Sequence, residues 1–331
     1  MKNLLPFERE KRKIIVKKET GTSEKYGCRP EERPTEALVD YGIVNIDKPK
    51  GPTSHQVADY VKKILGREKA GHTGTLDPAV SGVLPVALGR ATRISQLLLT
   101  AGKEYAGVMH IHKGISSGAL KNAVNEFTGK INQLPPVRSA VKRQLRERNI
   151  YYFEINEMDD KDALFVVGCQ AGTYIRKLVS DLGKKLGTGA HMAELRRTKA
   201  GPFNESSLVT LQELADAYHY WKEKQDEKKI RKAIQPVENG ARHLPKIWAA
   251  DSAVDSLCHG ANLNIPGISK FESGIGKGDL VAVMTLKDEL ACYGISNSTS
   301  EMLEKQDKGF AVKIEKVFMK PGTYPRMQLN G

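Results

Sequence analysis

Hydrophobic and polar positions resolve the chain into mixed helices and strands once a polar start is past. Residues 1–38 are basic, with Lys11, Arg12, Lys13, Lys17 and Lys18 closely spaced, and read as an extension that packs on another part of the molecule, the C-terminal domain, rather than folding alone. YGIVNID, at 41–47, reads as a strand. Thr53-Ser54-His55-Gln56 has the form of a capping box before Val57, Tyr60, Val61, Ile64 and Leu65 at helical spacing, and Gly66 is the stop. A strand-like GVLPVAL follows at 82–88, then a short helix over 94–99 and the alternating EYAGVMHIH at 104–112. Further strands are predicted at 151–158 and 164–169. A strong helix then runs on Ile175, Leu178, Val179, Leu182 and Leu186, with Thr173 as its candidate N-cap. Thr210-Leu211-Gln212-Glu213 is a second capping box, and the charged segment after it closes with Pro and Gly. Beyond that boundary, short strands separated by Gly-rich turns predict a small β-barrel or sandwich. The pattern therefore predicts an α+β domain over 39–243 and a β-rich domain over 244–325.

Composition narrows the class. With 40% hydrophobic and 27% charged residues in 331, the chain is neither disordered nor fibrous, and its length suits two cores. No apolar run is long enough to span a membrane, and the start, MKNLLPFEREKRKIIVKKE, lacks the apolar centre of a signal peptide, so an intracellular protein is expected. Cys28, Cys169, Cys258 and Cys292 lie singly, without a CxxC pair, which fits reduced thiols and indicates no metal. A net charge of +13 and a pI near 9.4 favour a polyanionic partner. No basic helix with a bulky apolar face argues for a membrane, which leaves nucleic acid.

Four short stretches carry candidate chemistry. In GHTGTLDPAVSGVLP, at 71–85, glycines and prolines surround Asp77, so this carboxylate is aimed by a backbone partly permissive and partly fixed; an ordinary Asp-Pro turn is the plainer alternative. In AGTYIRK, Arg176 and Lys177 stand in a helix's first turn, against its dipole, which implies an anion nearby; Lys177 has Asp181 one turn on, and Arg176 has no such local partner. In GKEY, Tyr105 opens a strand, where core filling is the default for an aromatic. In ELRRTKAGPF the paired arginines suit either solvent or phosphate. Two further patterns fail. Residues 273–278, SGIGKG, miss the phosphate-loop spacing and read as a hairpin turn, and His110 and His112 lack a third ligand at metal spacing.

Taken in order, GHTGTLDPAVSG, GKEY, GTYIRKL and ELRRTKAGPF resemble the motifs of the TruB family of pseudouridine synthases. VNIDKPKGPTS, LPPVRSAVKRQLRERNIYY and the C-terminal LPKIWAADSAV, HGANLNIPGI and KGDLVAVMTLKDELACYGI are similar to its archaeal and eukaryotic dyskerin-type branch, the catalytic subunits of H/ACA guide-RNA particles. The resemblance covers about residues 38–325. It implies a catalytic domain with a central mixed or antiparallel sheet and a small C-terminal β-barrel of the PUA type. It makes Asp77 the catalytic aspartate, Arg176 its ion-pair partner and Tyr105 the aromatic that stacks on the target base, with proton acceptance at the base carbon as a second role. Tyr174 and Leu195 would line the uridine pocket with Lys103 beside the substrate, and His72 would help displace the target nucleotide. Arg138, Lys142, Arg143, Arg146 and Arg148 would clamp RNA, against the alternative of a solvated basic helix, and His259, Gly260 and Ala261 would lie near the ACA end of the guide. No cofactor is implied. The implied partners are guide RNA, substrate rRNA or tRNA, a small zinc-binding protein, a small β-barrel protein and a kink-turn-binding protein. The implied place is the cytoplasm of an archaeal cell, or the nucleolus of a eukaryotic one. A stand-alone synthase acting on the TΨC loop of tRNA and a non-catalytic RNA-binding scaffold are the alternatives.

Overall fold

The computed structural model describes residues 3–135 and 142–326. The extension supplies α1 (Pro6–Arg9), β1 (Ile14–Val16) and α2 (Thr35–Tyr41). The larger α+β region then runs β2 (Gly42–Lys48), α3 (Ser54–Ile64), β3 (Ala70–His72), β4 (Ser81–Leu88), α4 (Ser95–Thr100), β5 (Lys103–Ile111), α5 (Ser117–Glu126), β6 (Gly129–Gln133), β7 (Arg146–Asp159) and β8 (Asp162–Cys169). It continues with α6 (Ile175–Lys185), β9 (Ala190–Ala200), β10 (Phe203–Asn204), α7 (Leu211–Lys224), α8 (Lys228–Ala233) and β11 (Ile234–Pro236). The C-terminal unit holds β12 (Lys246–Ala249), α9 (Asp251–Cys258), β13 (Leu263–Asn264), β14 (Ile268–Glu272), β15 (Leu280–Met284), β16 (Leu290–Ser296), α10 (Ser300–Lys305) and β17 (Phe310–Val317).

Both capping boxes form. Gln56 Oε1 accepts from the Thr53 N–H at 2.8 Å while Thr53 Oγ1 accepts from the Gln56 N–H at 3.2 Å, and Thr210 and Glu213 repeat the exchange. Val57, Val61 and Leu65 then bury one stripe of the α3 segment, as its period requires. Two expectations change. Tyr41 ends a helix rather than starting a strand, because α2 runs across residues 38 and 39. Residues 273–278 join β14 to β15, which are separated by β12 in the sheet, so the segment is a crossover loop and not a hairpin turn.

Ten strands make the large sheet in the order β11-β2-β4-β9-β5-β8-β7-β6, with β3 on β4 and β10 on β9; only the β4–β9 contact is parallel. Gly82 permits that contact: its φ is +102° and an added Cβ would stand 2.2 Å from the Arg197 carbonyl oxygen. Met109 and Ile111 of β5 share a core with Val57 of α3, Leu120 of α5 and Leu178 of α6, so these helices cover one face of the sheet. The C-terminal sheet runs β1-β14-β12-β15-β16-β17-β13 around its own core, and Ile14–Val16 extends it by pairing with β14. A third apolar cluster joins Ile43, Val83, Leu97 and Leu98 to Trp248, Leu290 and Phe318, so the two domains share a core at their junction. At roughly 1.5–3 kcal/mol for each fully buried large side chain, this cluster is enough to fix one domain on the other.

Candidate functional site

Asp77 lies in the loop between β3 and β4, and that loop is gripped from both sides by buried cations. Lys48 Nζ, fully buried at the end of β2, donates to the carbonyls of Pro49 at 2.8 Å, Pro78 at 3.2 Å and Val80 at 2.8 Å. Arg197 of β9, 1% exposed, donates to Val83 O at 2.8 Å, Gly74 O at 3.1 Å and Thr75 O at 3.5 Å. From α3, Ser54 Oγ accepts from the Leu76 N–H at 2.8 Å and donates back to the Leu76 carbonyl at 3.1 Å. Asp77 is therefore presented by a backbone held at Gly74, Thr75, Leu76, Pro78 and Val80. Neither buried cation makes an ion pair among the described residues, and burial pushes the pKa of each below its ordinary value; Arg197 lowers Lys48 further, while Asp77 pulls it back. Unneutralised positive charge beneath an exposed carboxylate favours anions at this spot.

The Asp77 carboxylate, 58% exposed, accepts a 2.9 Å hydrogen bond from Arg176 Nη2 across 99 positions of sequence. Arg176 stands in the first turn of α6, as the sequence predicts, but Thr173 does not cap that helix. Its hydroxyl donates to the Gln170 carbonyl, and Tyr174 is the N-cap without a side-chain bond. Gln133, at the end of β6, braces the N-cap residue instead: its buried amide accepts from the Tyr174 N–H at 3.0 Å and donates to the Tyr174 carbonyl at 3.2 Å. Lys177 pairs with Asp181, as expected.

Tyr105 faces the same core as Met109 and Ile111 and stays part-exposed. Burial pushes its phenol above the ordinary value, Arg197 works against that, and Cys169 and then Asp77 add to the rise. Leu195 is buried in the main core and Tyr174 is part-exposed beside Arg176. His72 ends β3 with His55 of α3 against it, the two ring nitrogens 3.1 Å apart.

Lys103 is a correction. Its ammonium is buried and donates to the carbonyls of Leu98 at 2.8 Å, Leu99 at 2.9 Å and Ala101 at 2.6 Å, so it closes the C-terminal end of α4 instead of facing a substrate. The paired arginines are also not a free phosphate contact: Arg196 binds both oxygens of Asp47, at 2.9 and 3.0 Å, and reaches Glu205 at 2.6 Å, and Arg197 is inside the fold.

Of the basic segment, Arg138 lies outside the described residues. Lys142 and Arg143 are exposed, while Arg146 and Arg148 begin β7, so this part is strand and not helix. Arg148 lies over Gly172, where an added Cβ would stand 3.2 Å from Nη2, and this brings the basic segment next to the Arg176 turn. His259, Gly260 and Ala261 are exposed together at the end of α9, where Gly260 takes a φ of +87°. The third imidazole that sequence spacing did not reveal is His191 of β9: its Nδ1 is 2.9 Å from His112 Nε2, while His110 binds Asp162 at 2.7 Å. Among the described residues no group of three His, Cys, Asp or Glu side chains is arranged to hold a metal ion, and no helix is long and apolar enough to cross a membrane.

Comparison with known proteins places this geometry. Residues 62–175 match the N-terminal domain of TruB family pseudouridylate synthases and 176–241 the C-terminal domain of tRNA pseudouridylate synthase B, while 245–318 match the PUA domain and 2–58 the DKCLD domain. A probable tRNA pseudouridine synthase B of Pyrococcus abyssi is 56% identical over 99% of this chain and 98% of its own. One from Methanopyrus kandleri is 53% identical over 97% and 95%. Among solved structures, a chain of a Cbf5–Nop10–Gar1 complex is 52% identical with a TM-score of 0.93, over 98% of this chain and 99% of that one. A chain of an H/ACA RNP bound to a substrate RNA containing 2'-deoxyuridine is 50% identical with a TM-score of 0.92, again over 98% and 99%.

Proposed function

The chain belongs to the TruB family of pseudouridylate synthases, and on that premise we propose that it is the catalytic subunit of an H/ACA-type particle, in which a guide RNA selects the uridine to be isomerised in rRNA or tRNA. The observation that carries the chemistry is the exposed Asp77 carboxylate, paired with Arg176 on a loop fixed by Lys48 and Arg197. Isomerisation breaks the bond between ribose C1' and N1, turns the base and rejoins it through C5, whose proton is then lost. Asp77 acts on the ribose, by attack or by removing a sugar proton, and frees the base in either case. Ordinary glycosidases need a second carboxyl group because they release the sugar to water; here the base is kept, and one suffices. Arg176 orients the carboxylate, and the rigid loop holds it where the sugar must arrive.

A base within folded or paired RNA must be extruded at a cost of a few kcal/mol. Stacking on Tyr105 returns about 1–3 kcal/mol with little regard to sequence, which suits an enzyme whose target is chosen by another molecule. His72 fills the place the base has left, Tyr174 and Leu195 bound the pocket, and Lys142, Arg143, Arg146 and Arg148 contact phosphate. Residues 244–325 act as the PUA module, with His259, Gly260 and Ala261 toward the ACA end of the guide, and residues 1–38 brace it. The partners are the guide RNA, a small zinc-binding and a small β-barrel protein, for which the complexes of Cbf5 with Nop10 and Gar1 are the support, and a kink-turn-binding protein.

The names of the curated relatives favour a second reading, a stand-alone tRNA synthase. The two separate in one assay: pseudouridine formed on free tRNA by the chain alone, against that formed on a guide-paired target with partner proteins present. We expect guide RNA to set both rate and position. If adding it changes neither, the guided reading fails.

A further inference from the structure

Strand β1 ends one side of the C-terminal sheet, and its outer edge has no neighbouring strand among the described residues. Its register on β14 fixes which backbone groups face outward. Ile14 lies opposite Glu272, Ile15 opposite Phe271 and Val16 opposite Lys270, and the ladder continues with the Ser273 N–H on the Lys13 carbonyl at 2.7 Å and the Lys17 N–H on the Ser269 carbonyl at 2.9 Å. On an antiparallel pair every second residue is bonded to its neighbour. Lys13, Ile15 and Lys17 are therefore the inward residues, and the N–H and C=O of Ile14 and of Val16 point away from the sheet. Ile15 packs on the C-terminal core, so the side chains of Ile14 and Val16 stand on the opposite face, 56% and 59% exposed. Beside them is an open groove of about 480 Å³, lined by Val16, Lys18, Thr20, Lys270 and Leu286 and by one acid, Glu19. The cations of this stretch divide in two. Arg12 is taken up by Glu10 and Glu272, and Lys17 by Asp307 and the carbonyls of Glu304 and Gln306. Lys11, Lys13 and Lys18 are exposed and have no carboxylate partner among the described residues.

We infer that the free edge of β1 is a docking site for an extended acidic segment of a partner protein, which adds to the C-terminal sheet as a further strand. The outward backbone groups of Ile14 and Val16 supply the ladder, as strand addition requires. The two aliphatic side chains and the groove receive alternate apolar residues of the segment, and Lys11, Lys13 and Lys18 set the sign of the residues between and around them. The same lysines argue against a second copy of this chain, because pairing β1 with itself about Ile15 sets the lysines at 13 and 17 of the two copies against one another. Single-stranded RNA is the poorer occupant: it carries the right charge but completes no strand ladder, and Ile14 and Val16 offer a base no ring to stack on. The site shares no residue with the Asp77 loop, so the inference goes beyond isomerisation and does not depend on it.

The probe is a labelled peptide, Glu-Ile-Glu-Val-Glu-Ile-Glu-Glu, titrated by fluorescence anisotropy against the full chain at low and at physiological salt, with an oligouridine of equal charge as the competing occupant. Three variants separate the parts of the site. Val16→Pro removes an outward N–H that β14 does not use and leaves the bonds of Ile15 and Lys17 in place. Val16→Ala keeps that N–H and trims the side chain. Lys11→Glu, Lys13→Glu and Lys18→Glu together reverse the charge at exposed positions. Amide hydrogen exchange, with and without peptide, locates the contact. We expect saturable binding by the wild type, weakened about tenfold by Val16→Pro, less by Val16→Ala, and at least about tenfold by the charge reversal, with that last difference shrinking as salt rises. Exchange should slow at the Ile14 and Val16 amides when peptide is added. No saturable binding up to millimolar peptide, an unchanged affinity in Val16→Pro, or protection that falls elsewhere would each overturn the inference, as would an oligouridine that protects the same two amides. Should Val16→Pro loosen β1 itself, seen as faster exchange at Ile15 without peptide, the charge reversal and the wild-type exchange pattern decide the matter.

Discussion

A lysine with no exposed surface holds the backbone on which the Asp77 carboxylate sits. Lys48 has Pro49, Pro78 and Val80 carbonyls as acceptors and no carboxylate among the described residues, so replacing it removes a donor from all three oxygens, of which Pro78 keeps the Gly51 N–H at 2.9 Å. We expect Lys48→Met to cost about 2–4 kcal/mol of stability, seen as a lower Tm, and to cut kcat at least about tenfold with KM little changed. Unchanged kcat at a lowered Tm would mean that Lys48 braces the fold and not the site. The pairing of Asp77 with Arg176 was legible because each lies in a dense, ordered motif. Lys48, Arg197 and Gln133 were not, because long polar side chains read as surface by default and their partners here are backbone groups that leave no mark in the sequence. The resemblance set Lys103 beside the substrate, although its three acceptors are the end of α4.

At the scale of elements, helix α6 accepts an unfavourable start in order to serve the site. Arg176 and Lys177 in its first turn oppose the helix dipole at about 0.3–1 kcal/mol each, and an exposed ion pair of the Asp77–Arg176 kind returns no more than about 1 kcal/mol. Arg176→Ala is therefore expected to leave Tm within a degree or two of wild type while lowering kcat about a hundredfold, as loss of an orienting group does. A variant that melts many degrees lower would show the pair to be structural. The periodicity of α6 was plain in its sequence; the brace on its N-cap residue was not, because Gln133 supplies it from 41 positions upstream. The parallel contact of β4 with β9 was hidden for a like reason, since Gly82 marks a close approach without saying to what. Capping boxes at Thr53 and Thr210 were read correctly because both partners lie within one turn.

For the whole molecule, the N-terminal extension and the junction make the two domains one object. Leu5 is buried and Glu8 binds Lys199 on the catalytic side, while Ile14–Val16 pairs with β14 on the other. Arg33 then binds both oxygens of Glu238, at 2.7 and 2.8 Å, and Glu238 also accepts from the Leu290 N–H at 3.0 Å. A net charge of +13 gives the assembled surface its attraction for polynucleotide, and the buried Lys48 and Arg197 bring that sign to the carboxylate loop. The order and class of the domains were legible from composition and pattern. The joint was not, because its residues, from Ile43 to Phe318, are ordinary apolar positions until the chain brings them together. Everything in this arrangement converges on one oxygen pair, and the direct measurement is isomerisation by Asp77→Asn, with RNA binding measured on the same preparation. Product should fall to the uncatalysed background while affinity for RNA stays within about threefold of wild type, since the change removes the acting group and little volume. Turnover near the wild-type rate would contradict the assignment of Asp77 as the group that acts on the ribose.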